Sequence, residues 1–232
     1  WVIQLHERLI PLMAVMKQLL YQGRVIHIDE TRLQVLNEPG RENTQLSYMW
    51  VYGGGPPDKP VVWYQYADSR GGEIPVDFLF PTEEVPPTCE MYLVTDGYEG
   101  YNALSKSTGI LGHGACWAHV RRRFVEATHG RKNTAAAHQM VALIHKLYQV
   151  ERAVRDKSPG ERVVIRQRKS APILDKIKTW LDEKVTQVLP NSPLGPAITS
   201  TLTLSPKLIP SLEAAHTDLD HNSAHQPIRP PV

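Results

Sequence analysis

Only two cysteines occur in 232 residues, Cys89 and Cys116, and they stand in no metal-like pairing. So few thiols argue against a disulfide scaffold and suit a reducing compartment. No apolar run approaches the ~20 residues that cross a bilayer. No secretory leader pattern is visible, so no membrane partner is expected. Net charge is nearly absent: 26 basic residues against 24 acidic ones leave +2, too little to point to a partner. There is no internal repeat and no low-complexity bias. A glycine-rich run, "GGGPPDKP" (53–60), lacks the Gly-Lys-Ser/Thr ending that a phosphate loop needs and reads as a turn. The chain opens on Trp1 rather than Met, which suggests a piece of something longer.

What is present is ordinary in amount and informative in order. Hydrophobic residues make up 41% and charged residues 22%, as in globular proteins of one large or two small domains with a real core. Residues 1–22 read as an amphipathic helix, with Leu5, Leu9, Leu12, Met13, Met16, Leu19 and Leu20 at helical spacing. Pro11 should kink or divide it, and Gly23 should end it. Three strands follow, Arg24–Asp29, Leu46–Tyr52 and Val61–Tyr66, joined as an antiparallel run. Then come a short helix in 71–80, a buried strand Met91–Thr95, a helix begun by "GYNALSK", and a short strand turning into a helix over 110–127. Helical patterns fill 135–155 and 161–189. The last 43 residues hold 8 of the 19 prolines, and "LSPKLIPSL" sets them against a helical apolar spacing.

Two acids stand out. Asp29 closes the first strand in "VIHIDET", and Asp96 closes the fourth in "YLVTDGYEG". Burying charge at a strand end is costly unless a cation, a hydrogen-bond network or exposure compensates it. If the two strands are neighbours, the carboxylates lie side by side and repel unless a cation sits between them or one takes a proton. Oxygen donors with little nitrogen or sulfur nearby suit a hard ion such as Mg²⁺. Strand-ending aspartates also serve as caps for a following helix. Glu30 should point to the face opposite Asp29, as a solvated or hydrogen-bonded neighbour.

"HIDET", "YLVTDGYEGYN" and "ACWAHVRRRF", in this order, resemble the catalytic domain of the insertion-sequence-sixty-six family of transposases. The closing "SLEAAHTDLDHNSAHQPIRP" is similar to that family's final segment. The resemblance implies an α/β, ribonuclease-H-like mixed sheet with flanking helices, a helical insertion and an Asp-Asp-Glu triad. It divides the chain into a linker helix (1–22), a catalytic core (23–130), a helical insertion (131–190) and a C-terminal segment returning to the core (191–232). It implies Mg²⁺ or Mn²⁺ as cofactor, held by Asp29 and Asp96. It also implies DNA as partner, self-association, and a place in the bacterial cytoplasm with the nucleoid. Residue by residue, Asp29 is the first acid and Asp96 the second. His225 stands where the family has Glu, Pro227 falls early in the helix that should carry it, and the family's paired Asn is His221–Asn222. The expected upstream DNA- and metal-binding segments are missing. By these departures the chain reads as a truncated and decayed copy.

Other residues have competing readings. Cys116 and His119 are spaced by three, but two ligands do not make a zinc site. They read as a core thiol and a polar group at a helix start near the active-site face, with Trp117 as packing. Arg121, Arg122 and Arg123 wrap around one helix, either as a solvated face or as phosphate contacts that are blind to sequence. Tyr98 and Tyr101 would allow a covalent tyrosine mechanism, but no set of partner arginines accompanies them. An aspartyl-phosphate enzyme would want an acid two residues after Asp29, where Thr31 stands. Against strand cleavage and joining stands a non-catalytic remnant that keeps the fold and some DNA binding.

Overall fold

A computed structural model describes residues 2–81, 90–107, 109–129 and 134–208. Within them the chain is α/β. A long helix α1 (Val2–Gln22) leads into β1 (Val25–Gln34), β2 (Leu46–Gly54) and β3 (Val61–Ala67). A short helix α2 (Glu73–Leu79), β4 (Met91–Thr95), two 3₁₀ turns (Glu99–Asn102 and Leu104–Lys106) and β5 (Ile110–Ala115) follow. Five helices complete the described chain: α3 (Trp117–Glu126), α4 (Ala135–Val154), α5 (Pro159–Lys169), α6 (Ala171–Val185) and α7 (Gly195–Leu208). The five strands form one mixed sheet in the order β3-β2-β1-β4-β5. The first three are an antiparallel meander, and β4 joins β1 in parallel.

The described chain divides into two compact units, and the division falls inside β5, between His113 and Gly114. In the first unit, alternation along the strands builds the core. Glu30, Ile28 and His27 of β1 face Trp50, Tyr52 and Gly53 of β2. Trp50, Tyr52, Ile26, Ile28 and Leu93 are fully buried, with Phe78 and Leu79 of α2 beside them. The Tyr52 and Phe78 rings stack at 4.0 Å, and Trp50 meets Tyr101 edge-on at 5.8 Å. Such pairs add about 0.5–1.5 kcal/mol each beyond area burial. The end of α1 is tied to this core: Leu20 is buried, and the Tyr21 hydroxyl donates to the Leu79 carbonyl at 3.0 Å. Its earlier turns leave Leu5, Leu9, Ile10, Leu12 and Val15 exposed.

The second unit is helical. Trp117, Val120 and Phe124 of α3 pack with Met140, Ile144 and Leu147 of α4, Ile177 and Leu181 of α6, and Ile198 of α7. A capping box starts α5: the Ser158 side chain accepts from the Glu161 N–H, and Glu161 accepts from the Ser158 N–H at 3.0 Å. Pro159 follows as a favourable first helical residue. Arg166 of α5 reaches Glu151 of α4 through two bonds of 2.8 and 2.6 Å, and only 1% of its side chain is exposed.

Four expectations need correction. The first strand does not stop at Asp29: its pairing with β2 continues to Gln34↔Leu46, although burial fades after Glu30, so the apolar signal ends before the strand does. Pro11 does not divide α1. Residue 7, whose carbonyl loses its partner to Pro11, lies on an exposed turn where water can take that place. "GYNALSK" forms two 3₁₀ turns instead of an α-helix, closed by i→i+3 bonds such as Lys106 N–H to Ala103 O at 3.2 Å. Gly100, Asn102 and Ser105 all lower α-helix propensity there. The pattern over 161–189 is two helices, broken at Ser170 just before Pro172. Pro206 lies inside α7, so the proline-laden spacing does begin as a helix. His225, Pro227, His221–Asn222 and the rest of the closing segment lie outside the described residues, as does Cys89.

Candidate active site

The parallel register decides where the two predicted aspartates stand. Val25 is level with Tyr92, Ile26 with Leu93, and His27 with Val94. Two residues further along each strand come Asp29 and Asp96. The ladder ends at His27↔Val94, so both acids follow at the same end of the sheet, where β1 parts from β4. Asp29 keeps antiparallel partners there (Val51 on β2), while β4 ends at Thr95. Gly97 takes φ 85°, a left-handed conformation that lets the chain turn at once after Asp96. The turn is fastened by two bonds. The Gly97 N–H donates to the Thr95 hydroxyl at 3.2 Å, and the Tyr98 N–H donates to Asp96 Oδ1 at 2.8 Å. Thr95 is held in turn by His113 Nε2 at 2.8 Å, whose Nδ1 lies 2.8 Å from the Ser105 hydroxyl.

Glu30 is hydrogen-bonded and not solvated; only 2% of its side chain is exposed. It points to the Trp50 face, as alternation requires. There it accepts from Arg70 Nε at 2.6 Å and from the Tyr101 hydroxyl. Arg70 Nη2 also lies 4.0 Å from Asp96 Oδ2, and its guanidinium sits 3.9 Å from the centre of the Tyr98 ring. Burial raises the Glu30 carboxyl above its usual range; the Tyr101 hydrogen bond opposes this, the Asp96 charge adds to it, and Arg70 opposes it. Burial, followed by the charges of Glu30, Asp96 and Asp29, pushes the Tyr101 hydroxyl well up. A nucleophilic tyrosine needs access and an easily lost proton. Tyr101 is fully buried and held in the opposite sense. For Arg70, burial acts downward, but the bonds and charge of Glu30 outweigh it and the guanidinium is held still more firmly charged.

Two glycines permit this arrangement by having no side chain. A Cβ on Gly72 would stand 2.1 Å from the Gly100 carbonyl oxygen, and one on Gly100 would meet the Tyr98 ring at 2.4 Å. The segment after Arg70 and the 3₁₀ turn before Tyr101 are therefore in backbone contact. Gly72→Ala should lower the urea midpoint, with a loss of about 1–3 kcal/mol, because backbone cannot give way as a flexible side chain can. An unchanged midpoint would mean that the two segments separate freely.

The oxygen-only pair Asp29 and Asp96 suits a hard divalent ion. A cationic group of the protein's own, Arg70, already lies near Asp96. The pair is two ligands only: the described residues contain no group of three or more His, Cys, Asp or Glu arranged to hold a metal. Elsewhere, Cys116 is buried at the start of α3, and Trp117 is core, as their spacing implied. His119 is buried too, 5% exposed on the first turns of α3. On the same helix Arg121 and Arg122 are exposed and Arg123 is half-buried, so the three do not share one face.

The profile of the family described as "Transposase IS66 family" matches residues 1–232, the whole chain. The chain belongs to the IS66 transposase family. Among curated proteins it is similar to the uncharacterized protein y4qI of Sinorhizobium fredii, 28% identical over 90% of this chain and 39% of that protein. A second uncharacterized protein of the same organism, y4jD, is 28% identical over 96% of this chain and 42% of its own length. The chain thus spans about two fifths of the curated relatives it matches. No solved structure matches it. Among the described residues no helix is long and apolar enough to cross a membrane.

Arg70 escaped the sequence reading. It lies in "DSRGG" between β3 and α2, a loop with no periodicity, and no spacing there signals that it reaches two acids. Glu30 was visible as a charge but not as the partner of Arg70 and Tyr101.

Proposed function

We propose that this IS66 chain is the catalytic part of a transposase, built for metal-dependent cleavage and joining of DNA strands at the ends of a mobile element. The observation that carries the reading is the parallel pairing of β1 with β4, whose ladder ends two residues before Asp29 on one chain segment and two before Asp96 on the other. An antiparallel meander followed by a parallel strand, in the order β3-β2-β1-β4-β5, supports a ribonuclease-H-like core. Asp29 and Asp96 would hold Mg²⁺ or Mn²⁺, with position 225 as the family's third acid. A bound ion of this kind supplies Lewis acidity for activating a water or 3′-hydroxyl and for stabilising the leaving oxygen. The Tyr98 N–H holds Asp96 through Oδ1, and Oδ2 lies on the side of Arg70. Exposed on α3, Arg121 and Arg122 would be the phosphate contacts.

A second reading is favoured by one observation in the sequence: His225 occupies the position of the Glu. Imidazole is a poor ligand for Mg²⁺. A remnant that keeps the fold, some DNA affinity and self-association would follow. The test that separates the two is Mg²⁺-dependent nicking of supercoiled DNA by the native chain and by His225→Glu.

On either reading, DNA binding by this chain should be weak, indifferent to sequence and steeply reduced by salt, since only phosphate contacts are available to exposed arginines. Arg121→Ala with Arg122→Ala should lower affinity equally for unrelated sequences. The salt dependence should flatten by about one unit of log–log slope for each phosphate no longer neutralised. Fluorescence anisotropy at several salt concentrations measures both. A tight, salt-insensitive complex with one sequence would contradict it.

A further inference from the structure

Arg70 is built into the acidic site rather than lying beside it. Its guanidinium is fixed from three sides: Nε donates to Glu30 at 2.6 Å, the Tyr98 ring lies under it at 3.9 Å, and Nη2 approaches Asp96 Oδ2 at 4.0 Å. Only a planar guanidinium can stack on a ring and fork to a carboxylate at once; an ammonium cannot do both. Glu30 is almost wholly buried, so it anchors Arg70 from the core side, whereas Asp96 lies at the opening with 18% of its side chain exposed. The Gly72–Gly100 backbone contact sets the distance between the loop carrying Arg70 and the turn carrying Tyr98.

We propose that Arg70 is a positioning residue that acts as an internal counter-ion: it occupies the cation's side of Asp96 until a divalent ion arrives and thereby sets that ion's affinity, with Glu30 as the anchor that holds it back. This rests on the reading of Asp29 and Asp96 as a metal pair. The anchor matters because it divides the guanidinium between two acids. Held by Glu30, Arg70 touches Asp96 only at salt-bridge distance and can be displaced by a doubly charged ion. Released from Glu30, it would pair fully with Asp96 and compete harder.

The signs therefore differ between variants, and a merely structural role would not produce that pattern. Mn²⁺ binding, followed by loss of the free-ion electron paramagnetic resonance signal, reads them without any activity. Arg70→Gln should bind Mn²⁺ about tenfold tighter, since a positive charge beside a ligand is removed. Glu30→Gln should bind it several-fold more weakly. Where Arg70→Gln fails to fold because Glu30 is left buried without its cation, the double variant Glu30→Gln/Arg70→Gln removes both charges and should still bind tighter than Glu30→Gln alone. Asp96→Asn should abolish binding throughout. If Asp96→Asn abolishes binding but every Arg70 and Glu30 variant shifts it in one direction or not at all, the counter-ion role is wrong and the metal pair stands. If neither the native chain nor any variant binds Mn²⁺, the metal pair is wrong and the counter-ion falls with it.

Discussion

Supercoiled plasmid incubated with Mg²⁺ and the native chain should remain closed, with at most a trace of open circles in Mn²⁺. Two aspartates can hold one divalent ion, but displacement at phosphorus gains most when a second ion stabilises the leaving oxygen. On the proposed reading the third acid that would serve that purpose falls at position 225, where this chain has His225. Mg²⁺ demands oxygen, whereas Mn²⁺ accepts nitrogen more readily. On the family resemblance Pro227 would fall in the helix that carries position 225, a separate fault, because a proline in a helix interior costs ~3 kcal/mol. His225→Glu alone should therefore restore only part of the activity, and addition of Pro227→Ala should restore more, since ligand identity and ligand placement are distinct. Asp29→Ala and Asp96→Ala in the restored background should each abolish it. Robust Mg²⁺-dependent nicking by the unmodified chain, lost in both alanine controls, would overturn the decay reading and direct the search for a third acid to Asp220 or Glu213.

The largest effect on stability should come from the helical unit. Glu151→Ala leaves the Arg166 guanidinium, 1% exposed, without the carboxylate that now receives two of its donors. Breaking such a pair from one side costs about 3–5 kcal/mol, because a buried charge is left uncompensated. Replacing both sides with apolar residues of similar volume avoids that penalty, so Glu151→Leu/Arg166→Met should recover most of the loss. Equilibrium urea unfolding of the three chains gives the comparison. If the single variant lost under about 1 kcal/mol, the pair would be behaving as a surface ion pair and the helices would have room for water around Arg166.

The two aspartates were legible in the sequence because each follows a short apolar run that can only be a buried strand. Val25–Ile28 and Met91–Val94 carry that signal on their own. That β1 pairs with β4, bringing Asp29 and Asp96 to the same end of the sheet, was not legible: it depends on a pairing between distant segments, for which local periodicity offers no register. The far half of β1 was missed because Thr31 and Arg32 are exposed and polar, yet backbone pairing with β2 holds them in the strand. Arg70 was missed because loops announce turns and not the reach of their side chains. The split between α5 and α6 could have been read from Pro172, a residue suited to the first turn of a new helix.

The strand order also bears on when, during folding, the site comes into being. β1, β2 and β3 are joined by short connections and can pair as they leave the unfolded ensemble. β4 must come back from the far side of α2 to lie against β1, and that parallel pairing closes a much longer loop. The meander can form while Asp96 is still free in solution, so Asp96 reaches the end of the sheet where Asp29 stands only at the most entropically demanding closure of the first unit. The contacts of Asp96 and Arg70 are therefore withheld from the early steps of assembly and form on a sheet whose core of Trp50, Tyr52 and Phe78 can already be in place.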